Sequence, residues 1–200
     1  MFRHELLTAR LHELHSPEVH FFHMSFFELL EARVTACNSL LCIGLDPHVG
    51  QLKRQDGGAP TAADARDFCL RIIRESHPYA AAFKPNSAFF ECFGADGFAA
   101  LNEVIVAIPQ DIPIVLDVKR GDIETTAQAY ASAAYDIFKV GSVTIAPYMG
   151  WDSVSPFVTG KFAGKGAFVL CKTSNKSSVS ELSALGSNHS LCIMPSFFVI

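Results

Sequence analysis

The chain has 200 residues, half of them hydrophobic, and a formal charge of −4. That length suits one domain, and the mildly acidic balance makes neither nucleic acid nor an anionic membrane surface an evident partner. No apolar run reaches the roughly 20 residues of a membrane helix, and the first 23 residues lack the apolar stretch of a secretory signal, so the expectation is a cytoplasmic protein. Six cysteines, with no C-x-x-C pair and mostly in apolar segments, are predicted to be reduced and buried.

Residues 1–23 hold five of the eight histidines, with His12, His15, His20 and His23 in an H-x-x-H…H-x-x-H arrangement. Zinc ligands normally come with partners that orient them, and none accompanies this spacing, so no metal site is predicted. The segment reads as a disordered extension, with Met24 as a credible start. The first strand is predicted over residues 40–46 (L-L-C-I-G-L-D), ending in Asp46. A helix follows over roughly 62–76, then a strand over 79–84 that ends in Lys84 and leads into Pro85 and Asn86. Residues 94–108 have helix length. Residues 112–118 (I-P-I-V-L-D-V) are β-branched and apolar, a strand entered through Pro113. Asp117 and Lys119 are two apart there, which sends both side chains from one face. Asp122 is placed to cap a helix over 122–139 whose apolar stripe is Ile123, Ala127, Tyr130, Ala131, Ala134 and Phe138. Residues 142–148 form the next strand, a short helix starts at Asp152, and a strand over 166–172 runs into Thr173, Ser174 and Asn175.

Strand and helix alternate, which argues for a parallel sheet, and each apolar run finishes in polar residues. Polar groups at the carboxyl ends of parallel strands are where a (β/α)8 barrel builds its active site. The fold expected is therefore α/β, of the (β/α)8 barrel kind, with about the first five β/α units present and one site collecting all five strand ends. Residues 116–130 (L-D-V-K-R-G-D-I-E-T-T-A-Q-A-Y) crowd two carboxylates and a lysine and mark its centre.

Five motifs, G-L-D-P-H (44–48), F-K-P-N-S-A-F-F-E (83–91), D-V-K-R-G-D-I-E-T-T-A-Q-A-Y-A (117–131), A-P-Y-M-G-W-D-S-V-S-P-F (146–157) and C-K-T-S-N (171–175), together resemble the orotidine 5′-monophosphate decarboxylase family. Their order and spacing fit as well, over about residues 25–178, and they look most like the decarboxylase half of trypanosomatid-type bifunctional UMP synthases. The resemblance implies cofactor-free decarboxylation of orotidine 5′-monophosphate to UMP. It makes Lys119 the proton donor to C6 of the pyrimidine and Asp117 the carboxylate beside the substrate's own. Asp122 and Thr126 would be donated across a homodimer to the neighbouring site. Asp46 and Lys84 would contact the ribose, Asn86 the substrate, and Thr173 with Ser174 the ring. Lys84 counts with Asp117, Lys119 and Asp122 in the charged centre. The complete bifunctional relatives also allow a glycosomal location, for which no C-terminal tripeptide is present.

After residue 178 the sequence runs V-S-E-L-S-A-L-G-S-N-H-S-L-C-I-M-P-S-F-F-V-I, with Glu181 its one charged residue. Residues 179–200 are read as a tail outside the family pattern. The last three strand–helix units, with the glutamine, arginine and loop that hold the 5′-phosphate, are expected to be missing. Such a piece would leave its outer strands unpaired and its activity impaired. Two other readings stand beside this one: a non-catalytic dimerisation fragment, and a sugar-phosphate decarboxylase of the same superfamily, which would normally add a Mg²⁺ site.

Overall fold

The computed structural model describes residues 24–171, 173, 175 and 197–199. The histidine-rich segment and most of residues 172–200, with Ser174, lie outside them. Helix α1 spans Phe26–Cys37 and opens with a capping box: the Ser25 hydroxyl accepts from Glu28 N while Glu28 returns to Ser25 N. It ends on Asn38 in the left-handed conformation. Strand β1 (Cys42–Leu45) leads to α2 (Ala62–Ser76), which uses a second capping box between Thr61 and Asp64 and buries Ala65, Cys69 and Ile73 four residues apart on one face. The bounds of α2 are those the sequence pattern predicts, and β1 falls within the predicted 40–46.

Next come β2 (Ala82–Pro85), the single turn α3 (Ala88–Glu91) and α4 (Ala95–Val106). Strand β3 covers Val115–Arg120, later than expected, because Pro113 has no N–H for the ladder and Ile114 contributes an isolated bridge to Phe83. Helix α5 is Glu124–Ser132, continued by a π-helical turn over Ala133–Ile137. The chain closes with β4 (Ser142–Ile145), α6 (Trp151–Val154), β5 (Gly166–Val169) and β6 (Phe197–Val199).

The strands are parallel throughout and lie in chain order. One ladder pairs β1 with β2 and another runs β3-β4-β5-β6. Bridges Phe83–Ile114 and Asn86–Asp117 join the two between β2 and β3. This parallel α/β arrangement, with six strands among the described residues, is the architecture of a (β/α)8 barrel that the chain covers in part. The sixth corrects one expectation: within residues 179–200, Phe197–Val199 pairs in register with Ala167–Val169, so the far edge of β5 is covered.

The core forms where the strands meet the helices. Leu45, Phe83, Phe90, Leu101, Leu116, Val143, Ile145 and Phe157 are all at or near zero exposure, each worth about 1.5–3 kcal/mol of burial. Phe26 closes the amino-terminal end of the sheet, where a Cβ on Gly141 or Gly166 would meet its ring at 2.8 and 2.5 Å. The described cysteines are all free, as expected, but the expectation that they are buried fails for most of them. Among the described residues Cys69 is buried and Cys37 half-buried, but Cys42, Cys92 and Cys171 are exposed, Cys42 facing the apolar cavity that Phe26 and Phe168 also line. Burial and the charge of Asp46 push the Cys69 thiol up to about 12. Among the described residues no helix is long and apolar enough to cross a membrane.

Candidate active site

The carboxyl ends of β2 and β3 bring three charged groups together. Asp117 is buried, and its two oxygens are taken by different lysines: Lys119 Nζ lies 2.6 Å from Oδ1 and Lys84 Nζ 2.8 Å from Oδ2. A third donor, the Thr144 hydroxyl from β4, reaches Oδ1 at 2.8 Å. Burial on its own would raise the Asp117 carboxyl. The hydrogen bonds from Lys119, Lys84 and Thr144 outweigh it, and the group is held below the usual carboxylate range. Lys84 is one-third exposed and Lys119 about half, so both ammonium groups face the open end of the sheet. Beneath them lies an apolar cavity of about 390 Å³ lined by Phe26, Leu30, Val34, Val115 and Phe168, whose low polarity strengthens charge interactions at its mouth.

Asp46 joins this group at one remove. Asn86 Nδ2 donates to its Oδ1 at 3.1 Å, and the Asn86 backbone pairs with both Leu45 O and the Asp117 bridge. Asp46, Lys84, Asn86, Asp117 and Lys119 thus share one end of three adjacent strands.

The lysine and aspartate of β3 do not converge by simple alternation. Register between β3 and β4 shifts between Leu116 and Arg120, and Lys119 has φ +45°. A bulge re-aims the side chain. The strand end is then clamped: Arg120 Nη2 bonds Glu91 Oε1 at 3.1 Å, its guanidinium lies 4.7 Å above the Tyr130 ring, and Ala146 N donates to Arg120 O at 2.7 Å. Gly121 follows because nothing larger fits; a Cβ there would lie 2.7 Å from Ala146 O.

Asp122 is placed differently from the prediction. The N-cap of α5 is Ile123, and the Asp122 carboxylate accepts from Ile123 N at 2.7 Å without capping the helix. Lying two residues before the first helical one, it is too early to reach the free amides of the first turn. Ile123, expected on the buried stripe, is 56% exposed. Asp122 and Thr126 are half-buried, and neither hydrogen-bonds to Lys84, Asp117 or Lys119. Thr173 is half-buried beyond β5, and Ser174 lies outside the described residues. Thr144 and the Glu91–Arg120–Tyr130 clamp were not singled out from sequence. A polar residue on the inner face of the apolar run S-V-T-I was the available signal for the first.

Residues 39–191 match the sequence model of the orotidine 5′-phosphate decarboxylase / HUMPS family. The chain belongs to that family. The match continues past residue 178, where the motif resemblance stops. A curated relative, the orotidine 5′-phosphate decarboxylase of Herpetosiphon aurantiacus, is 46% identical over 151 residues, covering 75% of this chain and 55% of its own length. The solved orotidine 5′-monophosphate decarboxylase of Leishmania donovani is 53% identical with a TM-score of 0.69, over 78% of this chain and 57% of that one. The UMP synthase of the same organism shows the same identity and TM-score over 78% of this chain and 32% of its own. The chain spans about half the length of the curated family members it matches. Among the described residues no three His, Cys, Asp or Glu side chains gather as a metal ion would require.

Proposed function

We propose that the Lys84–Asp117–Lys119 group is the reaction centre of a cofactor-free decarboxylation of orotidine 5′-monophosphate to UMP, in pyrimidine biosynthesis. The observation that carries this is a buried aspartate with a lysine on each oxygen, at the carboxyl ends of neighbouring barrel strands in a chain of this family. Breaking the bond between C6 and the carboxylate leaves an electron pair in the plane of the pyrimidine ring as CO₂ departs. A fixed ammonium beside that carbon stabilises the developing charge without reorganising. Lys119 then transfers a proton to C6, giving UMP, and recovers one from solvent. Asp117 keeps Lys119 charged and aimed, and it sets a negative charge against the substrate carboxylate. Asp46, Lys84 and Asn86 take the ribose side, and Thr173 with Ser174 take the ring.

A homodimer is part of this reading, with Asp122 and Thr126 completing the partner's site. Its support is that Ile123, next to Asp122, is a large exposed side chain, as are Tyr148, Met149 and Trp151 just after Ala146, which meets Gly121. In this reading the five motifs would serve the ring, ribose and carboxylate, while their one arginine, Arg120, is held by Glu91, so the 5′-phosphate would lack the arginine a phosphomonoester usually takes. The 200 residues assayed alone should therefore turn over slowly, limited by substrate binding.

Steady-state kinetics on the pure chain tests the chemistry. Activity should fall at least about a thousandfold in Lys119→Ala, and activity that survives this substitution would refute the assignment. Mixing inactive Lys119→Ala and Asp122→Ala chains should restore part of the rate, since each mixed dimer would hold one intact site. No restoration, in a mixture shown to exchange subunits, would rule out the shared site. A chain that dimerises yet never decarboxylates would instead be the non-catalytic fragment.

A further inference from the structure

Thr144 is buried at 2% exposure, and its hydroxyl is saturated. Oγ1 lies 3.0 Å from the backbone nitrogens of both Val118 and Lys119 and 2.8 Å from Asp117 Oδ1. A hydroxyl has one proton and two lone pairs. Backbone amides can only donate, so Val118 and Lys119 occupy both lone pairs and the one proton must go to Asp117. That oxygen must therefore be an acceptor, as an ionised carboxylate is. Two donated hydrogen bonds also polarise the hydroxyl and strengthen its own donation.

The same contacts answer a second need. Where β3 slips register against β4, the amides of residues 118 and 119 lose their ladder partners, and the left-handed backbone of Lys119 costs about 1–2 kcal/mol for a side-chain-bearing residue. A conformation of that kind persists when its surroundings over-determine it. The Thr144 hydroxyl supplies both missing acceptors at once. Threonine suits the position, because its β-branch restricts χ1 on a buried strand.

We propose that Thr144 is a positioning residue for the reaction: one hydroxyl holds the bulged backbone that aims Lys119 and orients Asp117 as the charged acceptor between the two lysines. It acts through these two residues. The inference rests on the decarboxylase reading for its kinetic consequence only; the coupling of backbone to carboxylate stands on geometry.

The test uses the full 200-residue chain, isotopically labelled, and follows amide exchange at Val118 and Lys119 with the carbon-13 titration of Asp117. In Thr144→Val, both amides should exchange about tenfold faster, as for the loss of one hydrogen bond, and Asp117 should titrate at higher pH. Thr144→Ser should restore both. Should the valine variant fail to fold, Thr144→Cys keeps a side chain of similar size with a poor donor and acceptor, and should shift both readouts in the same direction. In kinetics, kcat should fall about 10- to 100-fold with KM nearly unchanged, and serine should recover most of it. Unaltered exchange and titration in the valine or cysteine variant would overturn the assignment, as would a serine variant that rescues neither. An inactive wild-type chain that still gives these spectroscopic responses would sink the decarboxylase reading and leave Thr144 in its role. An active chain whose Thr144→Val variant keeps wild-type kcat would do the reverse.

Discussion

The ends of β3 and α5 are separated by a few residues and are built on opposite terms. At Asp117 every polar atom is committed within the chain: two lysines, a threonine, and backbone amides that the threonine serves in turn. At Asp122 the carboxylate meets one amide of the next residue, and that residue, Ile123, is exposed. A charge in the first environment is fixed before any ligand arrives. A charge in the second is left uncommitted by its own chain. The contrast teaches that one group of like-named residues can contain a preorganised part and a part that another surface must complete.

Substitution at Asp117 should break the comparison most severely. Asp117→Asn would leave Lys84 and Lys119 facing each other over a neutral amide, and should cost about 2–4 kcal/mol in urea unfolding, discounted because Lys119 is half exposed. A loss below about 0.5 kcal/mol would show the group to be less preorganised than its distances imply. Acid provides a milder version of the same test. The folded-state pKa of Asp117 lies below its unfolded value, so its stabilisation is complete above about pH 4 and disappears as pH falls through the folded value. Thermal melts of the wild type and Asp117→Asn should converge in that acidic window and diverge above it.

Gly121→Ala should come next. The added Cβ has Ala146 O in its way, and forcing the two strand ends apart should cost about 1–3 kcal/mol; denaturation midpoints measure it. The smallest effect on the fold belongs to Asp122→Ala, expected within about 0.5 kcal/mol of wild type, while activity falls sharply if the residue works in the partner's site. A large stability loss there would erase the distinction between the two regions.

Much of this arrangement was legible in the sequence. Alternating strands and helices announce the parallel sheet, and α2 spans the residues expected for it. Asp46, Lys84, Asn86, Asp117 and Lys119 all lie at strand ends, which a pattern of apolar runs with polar finishes can reveal. What could not be read was set by contacts between strands. The bulge at Lys119 depends on how β3 registers against β4, and Thr144 looks like any tolerated threonine until its neighbours are known. Asp122 followed the general preference of aspartate for helix caps, but the clamp on Arg120 delays the helix by two residues. Helix α1 also has a legible start, since S-F-F-E carries a capping-box signature.

The ring of Phe26 rests on Gly141 and Gly166, and its amide donates to Gly164 O at 2.8 Å. These partners are more than a hundred residues apart in the chain. During synthesis the first helix must therefore wait, exposed, until the fifth strand has left the ribosome, and every intermediate before that point has no floor. Contacts of such long sequence separation slow folding and lengthen the interval in which apolar surface is open to other chains. A nascent chain of this protein should thus be most vulnerable just before residue 166 emerges, and a chaperone that shields α1 would be of greatest use in that interval.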